Sequence, residues 1–173
     1  MPRSLAEAKT KFTILTTAPA DPAAPTVAEL EAGMDASCRV LLSDFTFGAD
    51  ASETIEEKAL CTQGSAQTLG SSNHSASFTL FRYFKAGTAE AETTAGADDI
   101  FQAIKTKGTQ VWLYSRKGDK LATDAWEAGD EIYCAIQGIM DVPQQTEIDG
   151  YIKSRHVALP QNAWDYIAVA ADE

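Results

Sequence analysis

The two histidines, His74 and His156, are the side chains in this 173-residue sequence best suited to acid–base chemistry near neutral pH. A serine hydrolase would need one of them beside a nucleophile and a carboxylate. His74 lies in the polar stretch SSNHS at residues 71–75, and the sequence has no Gly-x-Ser-x-Gly nucleophile elbow. We therefore expect two ordinary surface histidines and no enzymatic activity. A hydrolase that uses either histidine is the minor alternative, and it would lose turnover when that histidine is changed to alanine.

The three cysteines, Cys38, Cys61 and Cys134, are odd in number and far apart, which is typical of reduced thiols. Nothing near them in sequence supplies a base or a helix N-terminus that would activate a thiolate, so we expect buried, unreactive side chains. Two histidines and no CxxC pair argue against a zinc site. A further acidic cluster lacks the spacing of an EF-hand, and its members are Asp119, Asp124, Glu127 and Asp130. We expect no metal and no cofactor.

The stretch from residue 26 to residue 60 combines acidic side chains with strand-forming apolar ones. Two basic residues, Arg39 and Lys58, accompany eight carboxylates, which are Glu29, Glu31, Asp35, Asp44, Asp50, Glu53, Glu56 and Glu57. The apolar residues of the stretch include Val40, Leu41, Leu42, Phe45 and Phe47. A solvated acidic tail would lack these hydrophobic residues. The stretch therefore predicts sheet structure that is buried on one side and negatively charged on another.

The whole chain is acidic, with a formal net charge of −11 and a sequence pI near 4.5. Proteins that read DNA or RNA need clustered Lys and Arg to displace phosphate counterions, so this composition argues against sequence-specific nucleic-acid binding. No window reaches the roughly 20 apolar residues of a membrane-spanning helix. Residues 1–7 lack the apolar core of a signal peptide. We expect no membrane anchor, and synthesis in the cytoplasm.

Hydrophobic periodicity predicts a mainly β chain that forms one domain over residues 1–173. Residues 1–34 should hold an N-terminal strand and an extended Pro-rich arm, because three prolines fall between 19 and 25. Between 48 and 75 the sequence is polar and rich in small residues, which predicts a long loop or hairpin. Further strands are predicted at 36–47, 75–84, 109–114 and 131–140, and two C-terminal strands, 151–157 and 164–169, within residues 150–173.

One helix is predicted at about residues 97–107, with Asp98 and Asp99 in its first turn and Gly108 as its terminator. One flanking helix against six or seven strands favours a β-sandwich or barrel-like fold. The candidate core residues are apolar side chains on these elements, namely Phe78, Leu80, Ile100, Phe101, Ile104, Val111 and Leu113. Because Phe101 is expected to face the core from the helix, Phe101→Ala should cost about 3–5 kcal/mol of stability.

The order of segments resembles the major tail tube proteins of long-tailed (siphovirus-type) bacteriophages, in particular those that infect actinobacteria. The resemblance runs over essentially the whole chain and involves no catalytic signature. The segments that carry it are KFTIL at 11–15, DASCRVL at 35–41, SDFTFG at 43–48, FTLFRYF at 78–84, DDIFQAIKTKGT at 98–109 and GYIK at 150–153.

This resemblance implies a non-enzymatic β-sandwich or barrel-like subunit without a cofactor. Six subunits would form a ring whose inner strands join into a barrel around a lumen, and rings would stack into the tail tube of the virion. The implied partners are further copies of the chain, the tape measure protein, the tail terminator and the tail tip proteins. Double-stranded genomic DNA would pass through without sequence-specific binding, and the subunit would be made in the cytoplasm of the host bacterium.

An acidic lumen would keep DNA mobile, because the duplex carries about one negative charge per 1.7 Å of its axis. The eight carboxylates between residues 29 and 57 are therefore candidate lumen groups, although each could instead simply solubilise the subunit. The segment 48–75 is the expected ring-to-ring contact, ordered once a neighbour covers it. The Pro-rich segment at 18–25 is expected to lie across a neighbouring subunit. A monomeric β-rich binding or decoration module without a lumen is the alternative.

Overall fold

The fold consists almost entirely of antiparallel strands, in a computed structural model that describes residues 6–56, 60–61, 68–93, 97–146 and 149–172. The strands are β1 (Thr10–Leu15), β2 (Met34–Asp35), β3 (Thr46–Asp50), β4 (Thr54–Ile55), β5 (Thr68–Leu69), β6 (Asn73–Phe81), β7 (Gln110–Lys117), β8 (Glu131–Met140), β9 (Gln144–Gln145) and β10 (Lys153–Ala168). Two short helices, α1 (Val27–Glu31) and α2 (Asp99–Ile104), accompany them. Neither helix combines the length and apolar character that crossing a bilayer requires, within the residues described. The prediction of a mainly β chain is confirmed.

Eight strands form one antiparallel sheet, in which seven follow the order β2-β1-β7-β8-β10-β6-β3 and β9 pairs with β10. β10 connects the two halves of the sheet, since its residues 153–158 pair with β6 and its residues 158–168 pair with β8. The prediction of two separate C-terminal strands is therefore wrong. The register shifts between Pro160 and Asn162, a bulge that suits a proline because it has no backbone donor.

The sheet curls so that β1 and β3, from opposite halves, meet across one apolar core. The ring centroid of Phe12 in β1 lies 5.0 Å from that of Phe45, 5.3 Å from that of Phe47 and 5.2 Å from that of Phe78. This curl gives the sandwich or barrel-like closure. Six of the candidate core residues are buried here, namely Phe78, Leu80, Ile100, Ile104, Val111 and Leu113.

Helix α2 covers one opening of this core and is shorter than the predicted 97–107. After Ile104 the chain turns, and the hydroxyl of Thr109 donates to the carbonyl of Thr106 at 2.8 Å. Such side-chain bonds to the backbone compete with helix formation. Phe101 differs from the other candidate core residues, because its ring is only half-buried and lies 3.4 Å from the guanidinium carbon of Arg82.

A second apolar layer lies on the opposite face of β1, β7 and β8. Its buried members are Leu15, Leu30, Trp112, Tyr114, Trp126, Ile132, Ala135 and Val169. Helix α1 contributes Leu30 to this layer, and it begins with a reciprocal capping box between Thr26 and Glu29.

The Pro-rich segment 18–25 packs near this second layer on the chain's own sheet. Pro19 and Pro25 are buried, and the hydroxyl of Tyr114 donates to the carbonyl of Pro22 at 3.2 Å. The segment therefore lies against the chain's own sheet, and its expected contact with a neighbouring subunit stays a prediction. Its stiffness lets it cover an aromatic surface at low entropic cost.

The predicted strand at 36–47 is interrupted. The backbone N–H of Leu41 donates to the carbonyl of Thr79, the N–H of Phe81 donates to the carbonyl of Arg39, and a 3-10 turn at Leu42–Asp44 then precedes β3. The turn leaves the side chain of Leu42 86% exposed at the rim of the sheet.

Candidate assembly surface

The hairpin formed by β3 and β6 continues beyond the main sheet as a narrow ribbon, here called the arm (residues 51–56, 60–61 and 68–72). Past the last pair of β3 and β6, the N–H of Glu53 donates to the carbonyl of Ser71 at 3.1 Å. β4 and β5 then pair through Thr54 with Leu69 and Ile55 with Thr68. The predicted long loop is thus a hairpin in its described part, while residues 57–59 and 62–67 lie outside the described residues.

The arm exposes large apolar side chains. The exposed fractions are 53% for Ile55 and 75% for Leu69, and Leu60 is fully exposed. An isolated two-stranded ribbon is marginally stable in water, and clustered exposed apolar groups are typical of interaction sites. The arm therefore has the chemical character of a surface that another protein covers.

The outer face of β3 and β6 carries hydroxyl groups. Thr46, Ser75 and Ser77 lie on this face and alternate with buried residues, whereas Thr79 shares the face but is fully buried. Two carboxylates bind these hydroxyls, since Ser75 Oγ donates to Asp50 at 3.2 Å and Thr79 Oγ1 donates to Asp44 at 3.2 Å. β3 is also the last strand of the sheet. Its outer backbone edge is therefore available for pairing with another strand.

The eight predicted lumen acids divide into two groups. Glu29, Glu31 and Asp35 lie around α1 and β2, whereas Asp44, Asp50, Glu53 and Glu56 lie along the β3 rim and the arm. Glu57 falls outside the described residues. The two groups therefore belong to different parts of the subunit.

The acids near α1 stabilise the subunit itself. The carboxylate of Glu29 accepts from the backbone N–H groups of Ala20 at 2.6 Å and Thr26 at 2.9 Å, and these bonds lower the pKa of Glu29. Glu31 accepts from the backbone N–H of Trp126 at 2.7 Å. Both carboxylates thus hold loops against α1.

Asp35 has a comparable local role. It forms an ion pair with the nearly buried Lys11 at 2.8 Å. Burial by itself would raise the pKa of Asp35, but hydrogen bonds from Lys11 and Ser37 lower it below the usual value. In contrast, Asp44, Asp50, Glu53 and Glu56 are all exposed, so this second group dominates the charge of the β3 rim and the arm.

The expectation of two surface histidines is wrong. His156 is fully buried, with its ring stacked 5.7 Å from Phe78, and neither ring nitrogen has a hydrogen-bond partner. Burial, with a smaller contribution from Arg82, lowers the pKa of His156 to about 4. His74 is half-buried and contacts Asp165, with 2.9 Å between Nε2 and Oδ2.

The cysteines also differ from expectation, because Cys38 and Cys61 are exposed and only Cys134 is buried. Burial, together with Asp165, raises the pKa of the Cys134 thiol to about 12. A protonated thiol is a poor nucleophile. This geometry offers no activated cysteine at position 134.

Three of the four carboxylates in the acidic cluster at 119–130 pair with basic side chains, including Asp119 with Lys9. Asp130 accepts from Arg116 at 2.7 Å and from Lys120 at 2.6 Å, and Lys120 also binds Glu127 at 2.8 Å. Asp124 accepts from the backbone N–H of Leu121. Lys9, Arg116, Lys120 and a backbone N–H group therefore already occupy the carboxylates of this loop.

One buried polar cluster escaped the sequence analysis. The side chain of Asp98 is fully buried and accepts two hydrogen bonds from Arg82, at 2.8 and 2.9 Å, and further ones from Tyr83 and Gln102. Burial by itself would raise the pKa of Asp98, but these bonds lower it. The sequence marks Asp98 only as a helix start, and no local pattern links it to Arg82, which follows β6 and lies 16 positions away.

The comparison with protein families agrees with this architecture. The family model described as phage tail tube protein matches residues 1–173, so the chain belongs to the phage tail tube protein family. It is a structural component of the virion tail, and the family implies self-assembly into a tube and association with other tail components. No curated protein matches the sequence.

Proposed function

We propose that this protein forms hexameric rings that stack into the tail tube of a long-tailed phage, and that genomic DNA reaches the host through its acidic lumen. The observation that carries the proposal is the arm, which projects from the sheet with Ile55 and Leu69 exposed. In a stack of rings, the adjacent ring would cover these side chains. The role is structural, without catalysis or a cofactor.

Lateral assembly would use the edge of the sheet. β3 ends the sheet, and its outward N–H and C=O groups could pair with a strand of the adjacent subunit. Repetition around a ring would close the inner strands into a barrel without a free edge. The hydroxyl-rich outer face of β3 and β6 would then face the lumen.

The lumen charge would come from the second group of acids, Asp44, Asp50, Glu53 and Glu56, with Glu57 as a further candidate. These residues are exposed where described, and they follow the same rim and arm. Arg155 and Lys153 are the cross-strand neighbours of Thr79 and Phe81, so this face also carries two positive charges. The carboxylates outnumber them, and a net negative wall would repel the phosphates and keep the duplex mobile.

The other proposed partners follow from this role. Subunits would be made in the host bacterial cytoplasm and would assemble around a tape measure protein. A tail terminator and tail tip proteins would close the two ends of the tube. The DNA would contact the wall without sequence-specific binding.

The test of stacking is the double variant Ile55→Ser/Leu69→Ser. Because both side chains are exposed, the variant should melt close to the parent and yet fail to form tubes in negative-stain micrographs. Leu121→Ser is the matched control, since Leu121 is also exposed (49%) but lies outside the arm. Normal tubes from the double variant would reject the stacking role. Parent protein that stays monomeric at high concentration would favour the decoration module.

The test of the lumen is the double variant Asp50→Lys/Glu53→Lys, compared with Glu7→Lys elsewhere on the surface. Tubes of the double variant should retain DNA in their bore. Each new phosphate contact should add about 0.9 to the salt dependence of binding on a log–log scale. If DNA passes through these tubes as freely as through the parent, the acids do not line the path.

A further inference from the structure

Three potential metal ligands from three strands meet where the main sheet opens. β6 and β10 pair as far as Ala76 and Ala158 and then separate. Beyond that point, His74 of β6 reaches Asp165 of β10. Cys134 of β8 lies directly opposite Asp165 in the register of β8 and β10. One ligand atom from each of these three side chains lies within 4.8 Å of the other two.

We propose that His74, Cys134 and Asp165 bind a divalent transition-metal ion of the zinc type. Imidazole nitrogen, thiolate sulfur and carboxylate oxygen are the three ligand types that zinc accepts in proteins. The thiolate and imidazole select against calcium and magnesium, which prefer oxygen ligands. This proposal does not rest on tube formation. No local sequence pattern indicates the site, because its ligands are 60 and 31 positions apart.

The geometry requires only a small closure. Zinc bonds of about 2.0–2.3 Å in a tetrahedron place the ligand atoms roughly 3.3–3.8 Å from one another. The three ligand atoms now lie up to 4.8 Å apart, so binding zinc requires the side chains to shift by about 1 Å. The 2.9 Å contact between His74 and Asp165 already orients two of the ligands toward each other.

The surroundings suit an ion that is anchored in the core and reached from solvent. Cys134 is fully buried, whereas the side chains of His74 and Asp165 are 11% and 36% exposed. The ion would replace the thiol proton, which leaves to solvent, and neutral His74 would donate its lone pair. A water molecule on the exposed side would complete four ligands. The bound ion would join β6 to the paired strands β8 and β10, at a point where the pairing of β6 with β10 has ended.

The test is binding of Co²⁺, a spectroscopic substitute for zinc, to the purified full-length protein. The background carries Cys38→Ser and Cys61→Ser, because both of these thiols are exposed and could bind metal nonspecifically. We expect one Co²⁺ per chain, a thiolate-to-cobalt charge-transfer band, and displacement of Co²⁺ by zinc. Zinc should also raise the melting temperature, because a ligand of the native state stabilises it.

Three single variants in this background make the test specific. Cys134→Ser should abolish the charge-transfer band, and His74→Gln or Asp165→Asn should weaken binding at least about tenfold. Circular dichroism establishes whether each variant is folded. We expect His74→Gln and Asp165→Asn to fold, because both change partly exposed side chains. The proposal fails if the background protein binds no stoichiometric metal. It also fails if folded His74→Gln and Asp165→Asn bind Co²⁺ as tightly as the background.

Discussion

The buried carboxylate of Asp98 should be a major determinant of subunit stability. Asp98→Ala removes the partner of a guanidinium whose side chain is only 15% exposed, together with two hydrogen bonds from Tyr83 and Gln102. Breaking a buried pair on one side typically costs about 3–5 kcal/mol, because the remaining charge is left uncompensated. For a chain of this length, we expect the melting temperature to fall by about 10 °C.

The assay is urea unfolding at pH 7, followed by tryptophan fluorescence. Glu90→Ala is the matched control, since Glu90 pairs with Lys85 at 2.9 Å but both side chains are exposed. Glu90→Ala should lower the free energy of unfolding by less than about 1 kcal/mol. The double variant Arg82→Met/Asp98→Leu should regain most of the stability, because it removes both charges from the buried site. Asp98→Ala within about 1 kcal/mol of the parent, or a double variant no better than the single one, would refute this reasoning.

Three further changes test other parts of the fold. The folded pKa of His156, about 4, lies below its usual 6.5, so this side chain alone should remove about 3 kcal/mol of stability as pH falls from 6.5 to 4. His156→Phe should lose less in urea titrations over that range. Phe101→Ala should cost about 1–3 kcal/mol, less than full burial would imply, and an unchanged melting curve would contradict the contact with Arg82. Gly48→Val should lower stability by about 2 kcal/mol, because φ is +139° and a Cβ would lie 2.9 Å from the Tyr133 hydroxyl; native-like unfolding would be inconsistent with this backbone.

The strands with strong periodicity could be predicted from sequence. β8 matches the predicted 131–140, and β7 begins within one residue of its prediction. In such strands the alternation of apolar and polar side chains is itself the signal, since one face must be buried. Elements that depend on specific contacts are harder to predict. The turn at Leu42–Asp44 is an example, because the hydroxyl of Thr79 on another strand donates to its Asp44.

Single side chains were predicted less well than elements. His156 looked like a surface residue, yet it faces Phe78 across the pair of β6 and β10. Cys38 and Cys61 looked buried and are exposed. Burial of an isolated polar or small residue depends on which face of the strand its side chain occupies and on what covers that face. Neither is encoded within a few neighbouring positions.

The sequence by itself determined the class of fold, the acidic character of the chain and the position of a hairpin-forming segment, because composition and periodicity are local properties. The tertiary structure decided which acids hold the subunit together and which lie on the β3 rim and the arm. It also brought His74, Cys134 and Asp165 together, and Arg82 with Asp98. These outcomes depend on how a curled sheet places distant strands side by side, and long-range pairing has no signature within a short stretch of sequence.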